Sequence, residues 1–226
     1  MVQYWQILNL DKREALGQEP WGELRDIMLS SMPDALFFQL VRAGANDPHP
    51  VADANAKWAG DRIVVISDYA LTYPEGMLTQ TERDEVEDMY LDSEEGDYED
   101  EDPAPTLYGF AEEWYSAIPL GYVRGEEGAG RVWHLRNLTK KEYVRSDAVA
   151  AVCPEKAKER FAPGLGHALV VCGCWTDEVE VFAKEEMGQG SWAGCRVEIR
   201  PAGDEPDGWK DVSEQVGRKL AAVWEL

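Results

Sequence analysis

Long apolar runs and an excess of positive charge are both missing from this 226-residue chain. No stretch approaches the roughly 18 apolar residues a bilayer-crossing helix requires, so no membrane association is expected. The 22 Lys and Arg residues face 44 Asp and Glu, a formal charge of −22. Nucleic-acid binding needs a dense cationic face and is excluded on that ground. Cysteine is scarce and confined to the second half, at Cys153, Cys172, Cys174 and Cys195. That is too sparse for a disulfide-stapled secreted scaffold. The opening Met-Val-Gln-Tyr-Trp-Gln has no basic-then-apolar leader, so a cytoplasmic location is expected. Histidine is scarcer still: His49, His134 and His167 are scattered, and no H-E-x-x-H arrangement exists. Neither a metal nor a cofactor is expected. Gly188-Gln-Gly190-Ser-Trp-Ala193 nominally fits a dinucleotide fingerprint, but it precedes a strand instead of opening a helix.

What is present is self-similarity. Trp5-Gln-Ile-Leu-Asn9-Leu10-Asp11-Lys12-Arg13-Glu14 recurs as Trp133-His-Leu-Arg-Asn137-Leu138-Thr139-Lys140-Lys141-Glu142. Trp58-Ala-Gly60-Asp61-Arg62-Ile63 recurs as Trp192-Ala-Gly194-Cys195-Arg196-Val197, and Ala35-Leu36-Phe-Phe matches Ala168-Leu169-Val-Val between them. The three blocks keep their order. The expected architecture is therefore α+β: two pseudo-symmetric copies of a β-rich unit, with mostly antiparallel strands, outer helices and a C-terminal helix. The chain reads as one compact domain. Residues 1–70 form the first copy, 71–130 an insert with an acidic loop at 92–105, 131–203 the second copy, and 204–226 a closing helix.

Within each copy, Tyr4–Leu8 and Val132–Arg136 read as aromatic-rich strands, followed by a polar Asn-Leu turn. Leu36–Val41 and Leu169–Cys172 read as second, buried strands; Arg62–Ile66 and Arg196–Ile199 as third strands. On that reading Cys172 and Cys174, two apart, share one strand face as small buried side chains. Helices are expected over Glu19–Met32, Thr79–Leu91, Glu142–Val152 and Tyr108–Ile118, the last with Phe110, Trp114 and Tyr115 facing a core. A hairpin is expected from Gly121–Arg124 through a Gly-rich turn to Arg131–His134, and a terminal helix over Asp211–Trp224 with Val212, Val216, Leu220 and Val223 on one stripe. From Glu82 to Asp102, 13 of 21 residues are acidic and one is basic. That run reads as a solvated acidic segment, a lure for a basic partner, or a weak calcium loop at Asp92–Asp97 lacking EF-hand alternation.

The Asn-Leu-Asp-Lys-Arg-Glu block at residues 9–14, with Trp-Ala-Gly-Asp-Arg at 58–62, resembles an uncharacterised group of fungal and bacterial hypothetical proteins. No activity is attached to that group, so the resemblance supplies no catalytic residues. It implies a recurring structural unit.

Positions kept in both copies are expected to hold the scaffold, since one active site rarely needs each residue twice. Arg62, Arg196, Trp58 and Trp192 are the shared candidates for binding. An Arg62–Glu14 ion pair with a cation over Trp58 is expected, repeated by Arg196, Glu142 and Trp192. Positions that differ are candidates for a single site: Asp11 faces Thr139, Asp61 faces Cys195, and Asp68 faces Ala202. Asp11, Asp61, Asp68 and Glu14 could thus serve acid/base work or a hard cation. A Cys195–His167 nucleophilic pair is also open. The favoured function is a soluble, non-enzymatic binding or interaction protein whose acidity selects a basic protein or cationic ligand. The rivals are a small hydrolase-like enzyme using the first-copy carboxylates and a carbohydrate-binding module using exposed tryptophans.

Overall fold

Side-chain alternation along strands paired through the middle of the chain sets the architecture. In β1 (Trp5–Asn9) every residue is buried: Trp5 and Ile7 enter one core, Leu8 a second core on the opposite face. A strand covered on both faces reads as continuously apolar. The structure, a computed structural model, describes residues 3–17, 22–42, 57–91, 105–120, 131–152, 163–178, 188–203 and 207–224. The remaining elements, in chain order, begin with β2 (Glu14–Leu16), α1 (Leu24–Leu29), α2 (Met32–Leu40), β3 (Arg62–Ser67), α3 (Gln80–Leu91), α4 (Leu107–Trp114) and β4 (Ser116–Ile118). There follow β5 (Trp133–Asn137), β6 (Glu142–Arg145), α5 (Ser146–Val152), α6 (Leu165–Gly173), β7 (Cys174–Trp175), β8 (Cys195–Pro201), β9 (Lys210–Asp211) and α7 (Ser213–Trp224).

The protein is α+β; among the described residues nine strands form one mostly antiparallel sheet in the order β4-β2-β1-β3-β8-β5-β6-β9, with β7 paired to β3. The parallel pairs are β2 with β4, β3 with β7, and β6 with β9. At the middle of the sheet β3 meets β8, with Arg62 opposite Arg196 and Ile63 opposite Cys195. One face is covered by apolar side chains of α1, α2, α5, α6 and α7, together with Trp58 and Trp192. The other face, over β1 and β3, is covered from α3 and α4 by Val86, Leu107, Phe110 and Ala111.

The same bonds occur at matched positions of the two Asn-Leu turns. Asn9 Oδ1 accepts the amides of Asp11 and Lys12, both at 3.0 Å; Asn137 Oδ1 accepts those of Thr139 and Lys140 at 3.0 and 2.9 Å. Arg13 and Lys141, at the same place in the turn, take φ of 53° and 56°. Trp58 Nε1 donates to Glu14 at 2.6 Å, and Trp192 Nε1 to Glu142 at 2.8 Å. Gly60 and Gly194 both have positive φ, 93° and 69°. Their amides cross the β3–β8 seam, Gly60 to Val197 O and Gly194 to Ile63 O. Only glycine adopts that backbone without strain.

Several expected elements differ. Leu36–Val41 and Leu169–Cys172 are not strands; they lie in helices α2 and α6, Val41 being the first residue past α2. All nine residues of α6 are buried, so no polar stripe betrays the helical period. Cys172 and Cys174 therefore do not share a strand face: Cys172 lies in the last turn of α6, and Cys174 starts β7. Glu142–Val152 splits into β6 and α5, because β6 pairs with β5 along Asn137–Glu142 to His134–Arg145. Tyr108–Ile118 stops being helical at Trp114, and Trp114 is 61% exposed instead of facing the core. The expected first helix is present as Leu24–Leu29, and α3 and α7 stand where helices were expected. The hairpin tip at 121–130, Trp21 and the acidic stretch 92–104 lie outside the described residues. Among the described residues no helix is long and apolar enough to cross a membrane.

Helices α2 and α6 cross closely at Gly166, where a Cβ would stand 1.8 Å from Pro33 O. Gly166→Ala must push the helices apart and is expected to lower unfolding free energy by about 3 kcal/mol. Gly109→Ala, in α4 with its Cβ at an ordinary 3.5 Å from Thr106 Oγ1, is expected to gain about 0.5 kcal/mol from helix propensity. Urea unfolding of both variants tests the contrast.

Candidate functional site

The seam between β3 and β8 brings like charges together, and the chain answers with carboxylates. The Asn9-anchored turn aims Asp11 back across the end of β3. Its Oδ1 accepts Arg62 Nε at 2.7 Å; its Oδ2 accepts the Arg62 amide at 3.1 Å and Arg196 Nη1 at 2.6 Å. The far side of the Arg62 guanidinium meets Glu82 in a two-pronged pair, 2.6 and 3.0 Å, and Nη1 also donates to Met77 O. Glu82 is fixed in turn by a reciprocal cap at the start of α3: it accepts the Thr79 amide at 2.7 Å while its own amide donates to Thr79 Oγ1. Arg196 is half exposed and also donates to Gly60 O.

Burial pushes the Asp11 and Glu82 carboxyls up, but hydrogen bonds and charge from Arg62 outweigh it and hold both below their ordinary values. Arg62 is pushed up, chiefly by its hydrogen bonds to Glu82. A carboxylate held ionised by two arginines is a poor proton donor, so Asp11 acts as a clamp.

The remaining candidates are placed as follows. Asp61 Oδ2 accepts Lys12 Nζ at 2.6 Å and Asn9 Nδ2 at 2.8 Å. Glu14 takes the Trp58 indole N–H, which corrects the expected Arg62–Glu14 pair; Arg62 is claimed by Asp11 and Glu82 instead. Arg196 likewise pairs with Asp11 rather than Glu142. The cation–π contacts among the described residues fall elsewhere, with Arg13 over Phe110, Arg131 over Trp133 and Arg136 over Trp209. Trp58 and Trp192 are fully enclosed and offer no ring face to a ligand. Asp11 and Asp61 thus share the turn end of β3, whereas Asp68 lies beyond the other end, roughly 20 Å along the strand. The four carboxylates do not converge.

At its own end, Asp68 accepts the Tyr4 amide at 3.0 Å. Burial pushes its carboxyl up, and the Glu178 charge adds to this against backbone hydrogen bonds. Glu112 nearby is also pushed up by burial and by Asp68, while Tyr108 hydrogen-bonds it. The Cys195–His167 pair is disfavoured by His167 itself: its Nδ1 accepts the Gly164 amide at 3.1 Å, and burial lowers its pKa to about 4 against a hydrogen bond with the Met28 backbone. Among the described residues Trp114 is the one strongly exposed indole; it stacks on Phe110 at 6.3 Å and is a single ring there, not a platform.

The sequence pattern held no signal for the buried polar group on the face of β5 and β8 away from the Trp133 core. There Glu198 lies 3.6 Å from Arg136, 3.3 Å from Arg200 and 4.0 Å from Arg42, and His134 stacks on Tyr143 at 4.9 Å. The Glu82 partnership did leave a signal, the Thr79-x-x-Glu82 spacing of a capping box. No family model matches the chain, and no curated protein or solved structure matches it.

The two carboxylate groups have opposite linkage. Asp11 and Glu82, depressed below 3.8 and 4.5, add stability above those values that is lost as pH falls through their lower folded-state pKa values. Asp68 and Glu112, raised, favour folding below their ordinary values, and that contribution disappears as pH rises through the folded ones. Arg62→Met is expected to cost about 3 kcal/mol at neutral pH and less in acid. Glu112→Gln is expected to raise the melting temperature at neutral pH and to make no difference near pH 4. Melting curves across pH check both signs.

Proposed function

We propose that the chain is a non-catalytic binding protein made of two copies of one unit, residues 1–70 and 131–203, whose acidic insert recruits a basic protein or peptide. Support for the duplication comes from the matched bonds: the Asn9 and Asn137 turns, the Trp58–Glu14 and Trp192–Glu142 pairs, and the crossed Gly60 and Gly194 amides. Shared residues spend their polar atoms on the fold. The hydrolase reading loses ground because Asp11, Asp61 and Glu14 are each held by donors and Asp68 stands apart.

One observation carries the choice of partner. On α3 the inward carboxylates Glu82 and Glu85 are neutralised by Arg62 and Arg13. Asp84, Glu87 and Asp88 face solvent, and the chain then runs into the acidic stretch ending at Asp102. Among the described residues no cation pairs with Asp84, Glu87 or Asp88, in a chain of charge −22.

A fluorescent lysine octapeptide is the probe. Affinity is expected to fall at least about tenfold between about 50 and 200 mM salt. It should also weaken in an Asp84→Lys, Glu87→Lys, Asp88→Lys variant and on deleting residues 92–102, while a glutamate octapeptide does not bind. Salt-independent binding, or binding untouched by both changes, overturns the reading.

A further inference from the structure

Three guanidiniums share one carboxylate on the face of β5 and β8 away from the Trp133 core. Arg42 follows the end of α2, Arg136 belongs to β5 and Arg200 to β8; they stand 4.0, 3.6 and 3.3 Å from Glu198. Strand pairing sets Arg136 directly opposite Glu198, and Arg200 lies two residues further along the same face. The Arg42 amide donates to Ile199 O at 2.9 Å, which ties the end of α2 to β8. At the matching positions of the first half, Leu8 stands opposite Val64, with Ile66 two residues on, and all three are covered by α3 and α4. Apolar residues thus hold the same pairing there, so charge at these positions is not what keeps the strands in register.

Glu198 is an incomplete partner for them. Separations of 3.6 and 4.0 Å are too long for hydrogen bonds, and Arg200 Nε at 3.3 Å is misaligned. The Nε atoms of Arg136 and Arg200 are buried with no hydrogen-bond partner. Arg42 has one further bond, to the neutral Ala59 O. Among the described residues no second carboxylate stands at ion-pair distance from any of the three. Three positive charges therefore meet one negative charge. The side chains of Arg136 and Glu198, 10% and 8% exposed, form a floor, while Arg200 at 29% and Arg42 at 47% stand toward solvent. The Arg136 guanidinium lies over the Trp209 ring at 4.6 Å, a contact that fixes its plane.

We propose that Arg42, Arg136 and Arg200 form a binding site for a dianionic phosphate group, with Glu198 holding the three guanidiniums together. A guanidinium presents paired in-plane N–H donors that match phosphate oxygens, and here donors are buried without acceptors. Forks entering from three separate segments suit a tetrahedral group, whose oxygens point several ways, better than a flat carboxylate. The Glu198 charge opposes any anion, so a monoanion gains little and a charge near −2 is needed. Inorganic phosphate and a small phosphate monoester both carry that group. This inference does not rest on the acidic-insert reading, and either can fail alone.

Isothermal titration with inorganic phosphate, methyl phosphate and acetate, at ionic strength matched with chloride, is the test. Saturable binding is expected for the phosphates and not for acetate; tighter methyl phosphate points to an ester ligand, equal or tighter inorganic phosphate to the free ion. Affinity is expected to fall about tenfold or more in Arg42→Gln and in Arg200→Gln, whose side chains reach solvent. Arg218→Gln, exposed on α7, removes the same charge elsewhere and is expected to leave binding unchanged. Glu198→Gln is expected to tighten binding, and melting curves verify that each variant is folded; if Glu198→Gln does not fold, Arg42→Gln and Arg200→Gln decide. No saturable phosphate binding, acetate binding as tightly, or equal affinity in the natural sequence and the Arg42 and Arg200 variants overturns the proposal.

Discussion

Two arginines stand opposite each other where β3 meets β8, and one carboxylate holds both. Like charges directly across an antiparallel pair repel, so the seam is stable because Asp11 reaches Arg62 and Arg196 together. Everything outward from that point depends on it. Arg62 carries the constraint on to Glu82 and so fixes the start of α3 and the lid over one face of the sheet. The glycine amides that cross the seam complete the backbone bonding on either side. The strand pairing itself spans only two residue pairs, which leaves side-chain electrostatics with an unusual share of the work.

Charge is distributed unevenly over this frame. The acidic insert puts carboxylates outward on α3 while its inward ones are neutralised. The face of β5 and β8 away from the Trp133 core instead gathers arginines around the buried Glu198, and the cleft by β6 gathers lysines around Glu142. Net charge alone thus describes the insert well and the second half poorly. A protein of pI near 4.4 can still present positive ground locally, because field strength at a cleft is set by its nearest groups.

Much of the fold was legible in the residues. The Asn-Leu turns were readable because asparagine satisfies two backbone amides in a fixed way. The strand Arg62–Ile66 was readable because β-branched residues crowd a short apolar run ahead of polar ones. Helices α2 and α6 were not, since a helix buried all round loses the polar stripe that distinguishes it from a buried strand. β6 was misjudged because its pairing with β5 overrides the local helical preference of the Ser146–Val152 segment that follows. For the candidate site, the residues of the seam were legible but their partners were not: Arg62 meets Glu82 from an insert that has no counterpart in the second half, and spacing along the chain says nothing of that. The arginine group around Glu198 draws on positions 42, 136 and 200, separated far beyond any local motif.

The register of β3 on β8 carries a historical implication. Each arginine faces its own counterpart, as residues do in an isologous contact between identical chains. With the proposed duplication, this implies an ancestor half as long that assembled as a symmetric pair, its exposed strand edge covered by a second molecule. Joining the two genes end to end would have turned an intermolecular edge into an interior one and freed the halves from identical selection. Under that proposal, Asp61 in one turn and Cys195 in the other are a place where the two halves have diverged.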